Sequence, residues 1–267
     1  MMSVQGMTKN NNCLARIGFS IEVGGAHTSR TMMLEELSAL LSYINRVDAE
    51  KRDYQNAIVH DNCLGKRSVK TRTLTSRYLV DLYSLDRDNI LFRALVYFWN
   101  RAPESRALLA LLCAYARDPV FRSTAPYMLA IPEGTIVTRE SLEAFLDAQS
   151  PGRFSKATLK STAQNINATW TQSGHLNGRV RKTRAQAHPS AGSVSYALFL
   201  GYLTGLRGQN LIHSEYVKLL DCPPGRITEL AEEASRKGWI ICKRMGDIIE
   251  IAFPNLISPD ELRQLHE

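Results

Sequence analysis

A chain of 267 residues with 33 Lys and Arg against 26 Asp and Glu carries a formal charge of +7 and a pI of about 9.2; apolar residues make up 44%, enough to bury a real core, which excludes a disordered chain. No apolar stretch reaches the roughly 20 residues that span a bilayer, the N-terminus lacks an apolar signal segment, and five scattered cysteines form no CxxC pair, so a cytoplasmic protein with free thiols and no membrane contact is expected. The charge is regional: the 67 residues from 148 to 214 contain no Asp or Glu but eight Lys or Arg, leaving 25 bases and 26 acids elsewhere, which points to a surface for a polyanion.

In chain order, residues 1–16 are polar and read as a flexible tail, 17–135 as an N-terminal helical domain, and 136–267 as a helix-turn-helix and winged-helix region. Gly24-Gly25 marks a tight turn and is too little for a phosphate loop. Helical spacing follows over 29–45, with Ser29 or Thr31 as cap, and over 49–60. Between 62 and 85 a basic loop enters an amphipathic helix whose apolar face is Leu74, Tyr78, Leu79, Leu82 and Leu85. Lys66, Arg67, Lys70, Arg72 and Arg77 stand there, with Ser68, Thr71 and Thr73 as caps or phosphate-facing hydroxyls. Two readings stand: a solvated helix face, or a phosphate site that also uses the free N–H groups of the helix start.

Helices are predicted at 88–101, at 103–117, where 108–116 is apolar nearly all round, and at 120–129. Thr138 caps the next helix, and Gln149-Ser150-Pro151-Gly152 is a turn. Ser155 caps a long helix to about 172 with Leu159, Ala163, Ile166 and Trp170 inward. Helix, turn, helix is a shape that presents a second helix to a DNA groove. Lys156 and Lys160 lie one turn apart near its start, and Thr158, Ser161, Thr162, Gln164 and Asn165 beside them suit phosphate and base-edge hydrogen bonds. Arg179, Arg181, Lys182 and Arg184 follow in a Gly-flanked arm or hairpin wing.

These segments, in their order, resemble the BrxA family of bacterial BREX phage-defence systems. The residues that carry the resemblance are Gly24-Gly25-Ala26 with Ser29-Arg30, the basic helix after Asn62, and Leu108-Leu109-Ala110-Leu111-Leu112-Cys113. Further on they are Thr138-Arg139-Glu140-Ser141, Ser155-Lys156-Ala157-Thr158 and Ala168-Thr169-Trp170, so the resemblance runs over about residues 17–205. It implies a mostly helical, non-enzymatic DNA-binding protein, its helical core similar to bacterial antitermination factors. It also implies that the protein is encoded beside a methyltransferase, a large ATPase and a phosphatase-like protein.

Residues 194–253 read independently as a winged helix: helices at 194–206, 214–220 and 226–237, then a hairpin of 239–242 and 248–253 turning at 245–247. Its third helix carries Glu229, Glu232 and Glu233, which repel phosphate, so this module is either a protein-interaction wing or touches DNA only through Lys243 and Arg244. The six histidines lie in separate segments, each expected at the surface or in a hydrogen bond, and no P-loop, GxSxG or HExxH occurs. The expectation is therefore a mainly α protein, a multi-helix bundle with helix-turn-helix elements and a C-terminal winged helix with a small β-hairpin. Its function is expected to be non-enzymatic, with double-stranded DNA and other phage-defence proteins as partners and no metal, cofactor or small-molecule substrate. The alternatives are a scaffold that docks acidic partner proteins and a winged-helix transcription regulator.

Overall fold

Short polar side chains set where several helices begin. The computed structural model describes residues 14–20, 24–46, 48–246 and 248–264. The expected tail over 1–16 lies outside the described residues up to Cys13; Leu14 to Arg16 form a helical turn closed by Phe19 N–H on the Leu14 carbonyl at 3.0 Å. A 3-10 turn, Ala26–Thr28, precedes α1 (Leu34–Ile44). That helix starts five residues later than expected and neither Ser29 nor Thr31 caps it, because Met33 is left-handed (φ 53) with its N–H held by the Thr31 hydroxyl at 3.1 Å. A capping box of Glu50 and Asp53 opens α2 (Lys51–Val59). Ser68 caps α3 (Val69–Tyr83) and Asn89 caps α4 (Ile90–Arg101), each accepting a first-turn N–H. The next is α5 (Arg106–Arg117), buried along Leu108 to Ala116.

The single helix expected at 120–129 is two pieces, α6 (Pro119–Arg122) and α7 (Ala125–Ala130). Pro126 has no N–H to offer the Arg122 carbonyl, and the hydroxyls of Ser123 and Thr124 bond the Val120 and Phe121 carbonyls instead. Then come β1 (Ile136–Val137), α8 (Arg139–Gln149), α9 (Lys156–Gln172), β2 (Leu176–Asn177) and β3 (Lys182–Arg184). The three strands are antiparallel in the order β1-β3-β2, with Ile136 opposite Thr183 and Leu176 opposite Arg184.

The remainder holds α10 (Ala191–Leu203), α11 (Gln209–Ile212), α12 (Glu215–Lys218), α13 (Pro224–Arg236), the antiparallel hairpin β4 (Ile241–Met245) and β5 (Ile248–Ala252), and α14 (Pro259–Gln264). The first strand starts two residues later than expected because the Trp239 N–H closes the end of α13 on the Ala234 carbonyl. α10 is the hub. It is buried on nearly every side and packs against α4, α5, α12 and α13. Glycine permits this: a Cβ at 192 would lie 2.5 Å from the Ala102 methyl, and the space at Gly201 is filled by Ser214 and Leu211. One hydrophobic core runs from Phe19 to Ile257 and crosses position 135 without a break. The chain is thus mainly helical with small antiparallel sheets, and no described helix is long and apolar enough to cross a membrane.

Candidate nucleic-acid interface

The α9 helix has two unlike faces. Ala163, Ile166 and Trp170 enter the core, and three of the polar residues expected to meet DNA go inward with them. Ser161 donates to the Thr28 carbonyl at 3.2 Å, Asn165 donates to the His27 carbonyl at 3.1 Å, and Thr162 is fully buried. Thr158 is half-buried, its hydroxyl 2.9 Å from that of the cap Ser155. The face left to solvent carries Lys156, Lys160 and Gln164, one turn apart. Carboxylates stand near its edge on α8, where Arg139 pairs with Glu140 and with Glu143 at 2.7 Å.

The β2–β3 hairpin lies beside the C-terminal half of α9. Lys182 donates to the Thr171 hydroxyl at 2.6 Å, and partial burial pushes its ammonium pKa down. Arg179, Val180 and Arg181 at the tip are exposed. Arg184 is a correction: its guanidinium is buried at 4% exposure and is spent inside the fold. It donates to the carbonyls of Met128 at 3.1 Å, His175 at 3.3 Å and Ala185, and pairs with Asp221 at 2.7 Å. No local pattern signals this, because Asp221 is 37 residues away.

The earlier basic cluster is also only partly free. Lys66 is neutralised by Glu36 at 3.0 Å, a second correction, since α1 carries the acid over the basic loop. Ser68 and Thr71 bond each other, and Thr73 bonds the Val69 carbonyl, so these hydroxyls serve the helix. Arg67, Lys70 and Arg77 are exposed, and Arg72 is half-buried. Arg77 and Arg30 both lie over the Tyr78 ring, at 5.7 and 5.0 Å. The Ala26–Thr28 turn packs against both α3 and α9, which brings the Arg77 end of the first cluster and α9 onto one short segment.

That segment is pinned from beneath. The His27 backbone N–H and Nδ1 both donate to Asp118, at 2.9 and 2.8 Å, and Nε2 lies 3.0 Å from the Thr169 hydroxyl, which accepts the Met32 N–H. Burial pushes the Asp118 carboxyl up, but the His27 ring and the bonds from the His27 and Phe121 backbone outweigh it, so it sits below the usual carboxylate range. Carboxylate, imidazole and hydroxyl in this order resemble a nucleophilic triad. All three are at most 1% exposed and Phe121 stacks on the imidazole at 4.5 Å, so the group acts as a strut between the turn, α5 and α9. Gly25 is required by the same contact, since a Cβ there would lie 1.9 Å from an Asp118 oxygen.

No protein-family model matches the chain, and no curated protein matches it. Lys243 and Arg244 are exposed on β4, and Lys243 stands across from Glu250. On α13, Arg226 pairs with Glu229 at 2.8 Å and Lys237 with Glu233 at 2.6 Å, which leaves little net positive charge on that helix. The opposite chemistry is exposed at the hairpin tip, where Met245 and Ile248 are 79% and 72% exposed.

Proposed function

We propose that the protein is a non-enzymatic, double-stranded DNA-binding accessory protein, and we infer a BREX-type phage-defence role from its resemblance to the BrxA family. The observation that carries DNA binding is α9: an exposed Lys156, Lys160 and Gln164 face beside a hairpin tipped by Arg179 and Arg181, in a stretch of chain without acids. We read β1, α8, α9 and the β2–β3 hairpin as a winged-helix module with α9 as its groove-facing helix, a reading supported by the strand order β1-β3-β2. Lys156, Lys160, Arg179, Arg181 and Lys182 form its basic surface, and Arg67, Lys70 and Arg77 extend the attraction along α3. Most of these contacts are to phosphates and carry little sequence information. A gel shift at two salt concentrations tests this: tight binding at low salt that fades at high salt is expected, with Lys156→Ala/Lys160→Ala weaker on every duplex. Binding that is absent at low salt contradicts the reading.

The C-terminal unit, α10 to β5, favours a second role. We read it too as a winged helix, but its paired α13 charges and the exposed Ile241, Met245 and Ile248 suit a protein partner better than phosphate. A pull-down from cells carrying the surrounding genes, with and without nuclease, separates the two roles: a partner retained after nuclease is held by protein contact.

A further inference from the structure

The β4–β5 hairpin keeps one face for the core and one for solvent. Residues directly across the two strands share a face, and neighbours along a strand alternate. Ile249 and Ile251, buried at 6% and 5% exposure, therefore turn inward, and Ile241, Lys243, Met245, Ile248 and Glu250 share the outer face. The hairpin is tied to the body at its base: the Cys242 N–H donates to the Ser235 hydroxyl of α13 at 3.0 Å, and the Asn255 side-chain amide donates to the Gly238 carbonyl at 3.0 Å. Of the seven exposed large apolar side chains among the described residues, three stand on this one face, Ile241, Met245 and Ile248. Single exposed apolar residues are ordinary, whereas a group on one face marks a contact surface. Between them Lys243 stands across from Glu250, so the face is apolar at both ends with one positive and one negative side chain across its middle.

That pattern is complementary to itself. When a copy is turned half round about an axis parallel to the strands and laid face to face, β4 of each hairpin lies over β5 of the other. Lys243 then meets the partner's Glu250, Glu250 meets the partner's Lys243, and Met245 meets the partner's Ile248 twice over. A half turn about an axis across the strands instead stacks Lys on Lys and Glu on Glu. Edge-to-edge pairing of either strand with itself, centred on Lys243 or Glu250, does the same. Only the first arrangement joins unlike charges. A phosphate backbone is a poor occupant, because Glu250 and three apolar side chains would face it. We infer that the outer face of the β4–β5 hairpin joins two copies of this chain in a two-fold symmetric dimer. The inference rests on the reading of the C-terminal unit as a protein-contact surface and names its partner. The strands have five residues each, about 17 Å, so the face is smaller than the roughly 800 Å² per partner of stable complexes, and the dimer is expected to dissociate readily, with a Kd on the order of 100 μM.

The test is sedimentation equilibrium of the full chain without DNA, from about 5 to about 500 μM, a range that brackets the expected Kd. The mass is expected to rise with concentration from the 30.0 kDa of one chain towards twice that. Lys243→Glu and Glu250→Lys, each alone, set like charges over one another at both contacts and are expected to weaken association by on the order of tenfold. Mixing the two variants restores unlike pairs at both contacts, as does the double reversal Lys243→Glu/Glu250→Lys in one chain, and both are expected to recover association. Recovery in the mixture cannot come from repair of the hairpin itself, since each chain there keeps its own like-charged cross-strand pair. Met245→Ser/Ile248→Ser is expected to abolish association. Association that ignores the single reversals, that neither the mixture nor the double reversal recovers, or that needs added duplex overturns the inference. A single-chain mass at every concentration overturns the second copy as partner. The protein-contact reading then stands if Met245→Ser/Ile248→Ser releases the nuclease-resistant partner of the pull-down, and falls as well if that partner stays bound.

Discussion

Two arginines three positions apart show how little a residue's type says about its task. Arg181 is exposed on a hairpin tip, and Arg184 is buried against three carbonyls and Asp221. Removing Arg184 leaves buried carbonyls unpaired and a part-exposed Asp221 without its cation, at a cost of about 1–3 kcal/mol. Arg184→Ala is therefore expected to lower the urea midpoint clearly. Arg181→Ala is expected to leave stability within about 0.5 kcal/mol and to weaken DNA binding. The reverse ranking in a urea titration contradicts the assignment. His175 makes a second residue-scale prediction. Its Nε2–H donates to the Leu219 carbonyl at 2.8 Å, which leaves Nδ1 to accept from Ser173. Burial pushes its pKa down to about 4; the Leu219 carbonyl and Asp221 pull it up and Arg184 pushes it further down. The unfolded chain takes up this proton near the ordinary value of about 6.5, so it binds more protons than the folded chain below that pH. Stability is full above about pH 6.5 and falls as the pH drops towards 4, by about 3 kcal/mol from this group. His175→Gln is expected to flatten that part of the curve in urea titrations at pH 7.5, 5.5 and 4.5. An unchanged slope would sink the assignment.

At the scale of elements, much was legible because the signals are local. Ser68, Thr138, Ser155 and Ser214 each cap the helix expected after them, since a short side-chain oxygen satisfies a first-turn N–H wherever the chain enters a helix. The apolar stripe of α9 and the β4–β5 hairpin follow from periodicity in the same way. What escaped is non-local. The left-handed Met33 that delays α1 follows a segment anchored far along the chain, by Asp118 on His27 and by the Thr169 hydroxyl on the Met32 N–H. The polar residues of α9 divide between interior and surface according to what packs on them, so Ser161, Thr162 and Asn165, whose side chains suit DNA, face the protein instead. The face that remains, Lys156, Lys160 and Gln164, is narrower than the sequence suggested, and its charge is concentrated in two lysines. Lys66 differs from expectation for a related reason: a run of bases says nothing of an acid that another helix carries over it.

α10 packs against helices of both halves of the chain. The continuous core leads to the expectation of a single cooperative unfolding transition, not separate ones for 17–135 and 136–267. Gly192→Leu, which forces a side chain into Ala102 and Ser105, is expected to lower the temperature of that single transition rather than split it. Two resolved transitions in scanning calorimetry would contradict this. The regional charge seen in the sequence is less than it first suggests, since Arg184 drops out of the available surface and Lys182 is part-buried, and the earlier cluster loses Lys66. What remains is a helix face and a hairpin tip, and the proposed DNA binding hangs on them. The most direct measurement is the salt dependence of duplex binding for the native chain and for Lys156→Ala/Lys160→Ala. Each phosphate contact contributes about 0.9 to the slope of log K against log salt. A slope shallower by about 2 in the double variant is predicted, from two contacts at that slope. Identical slopes for the two proteins would contradict the account.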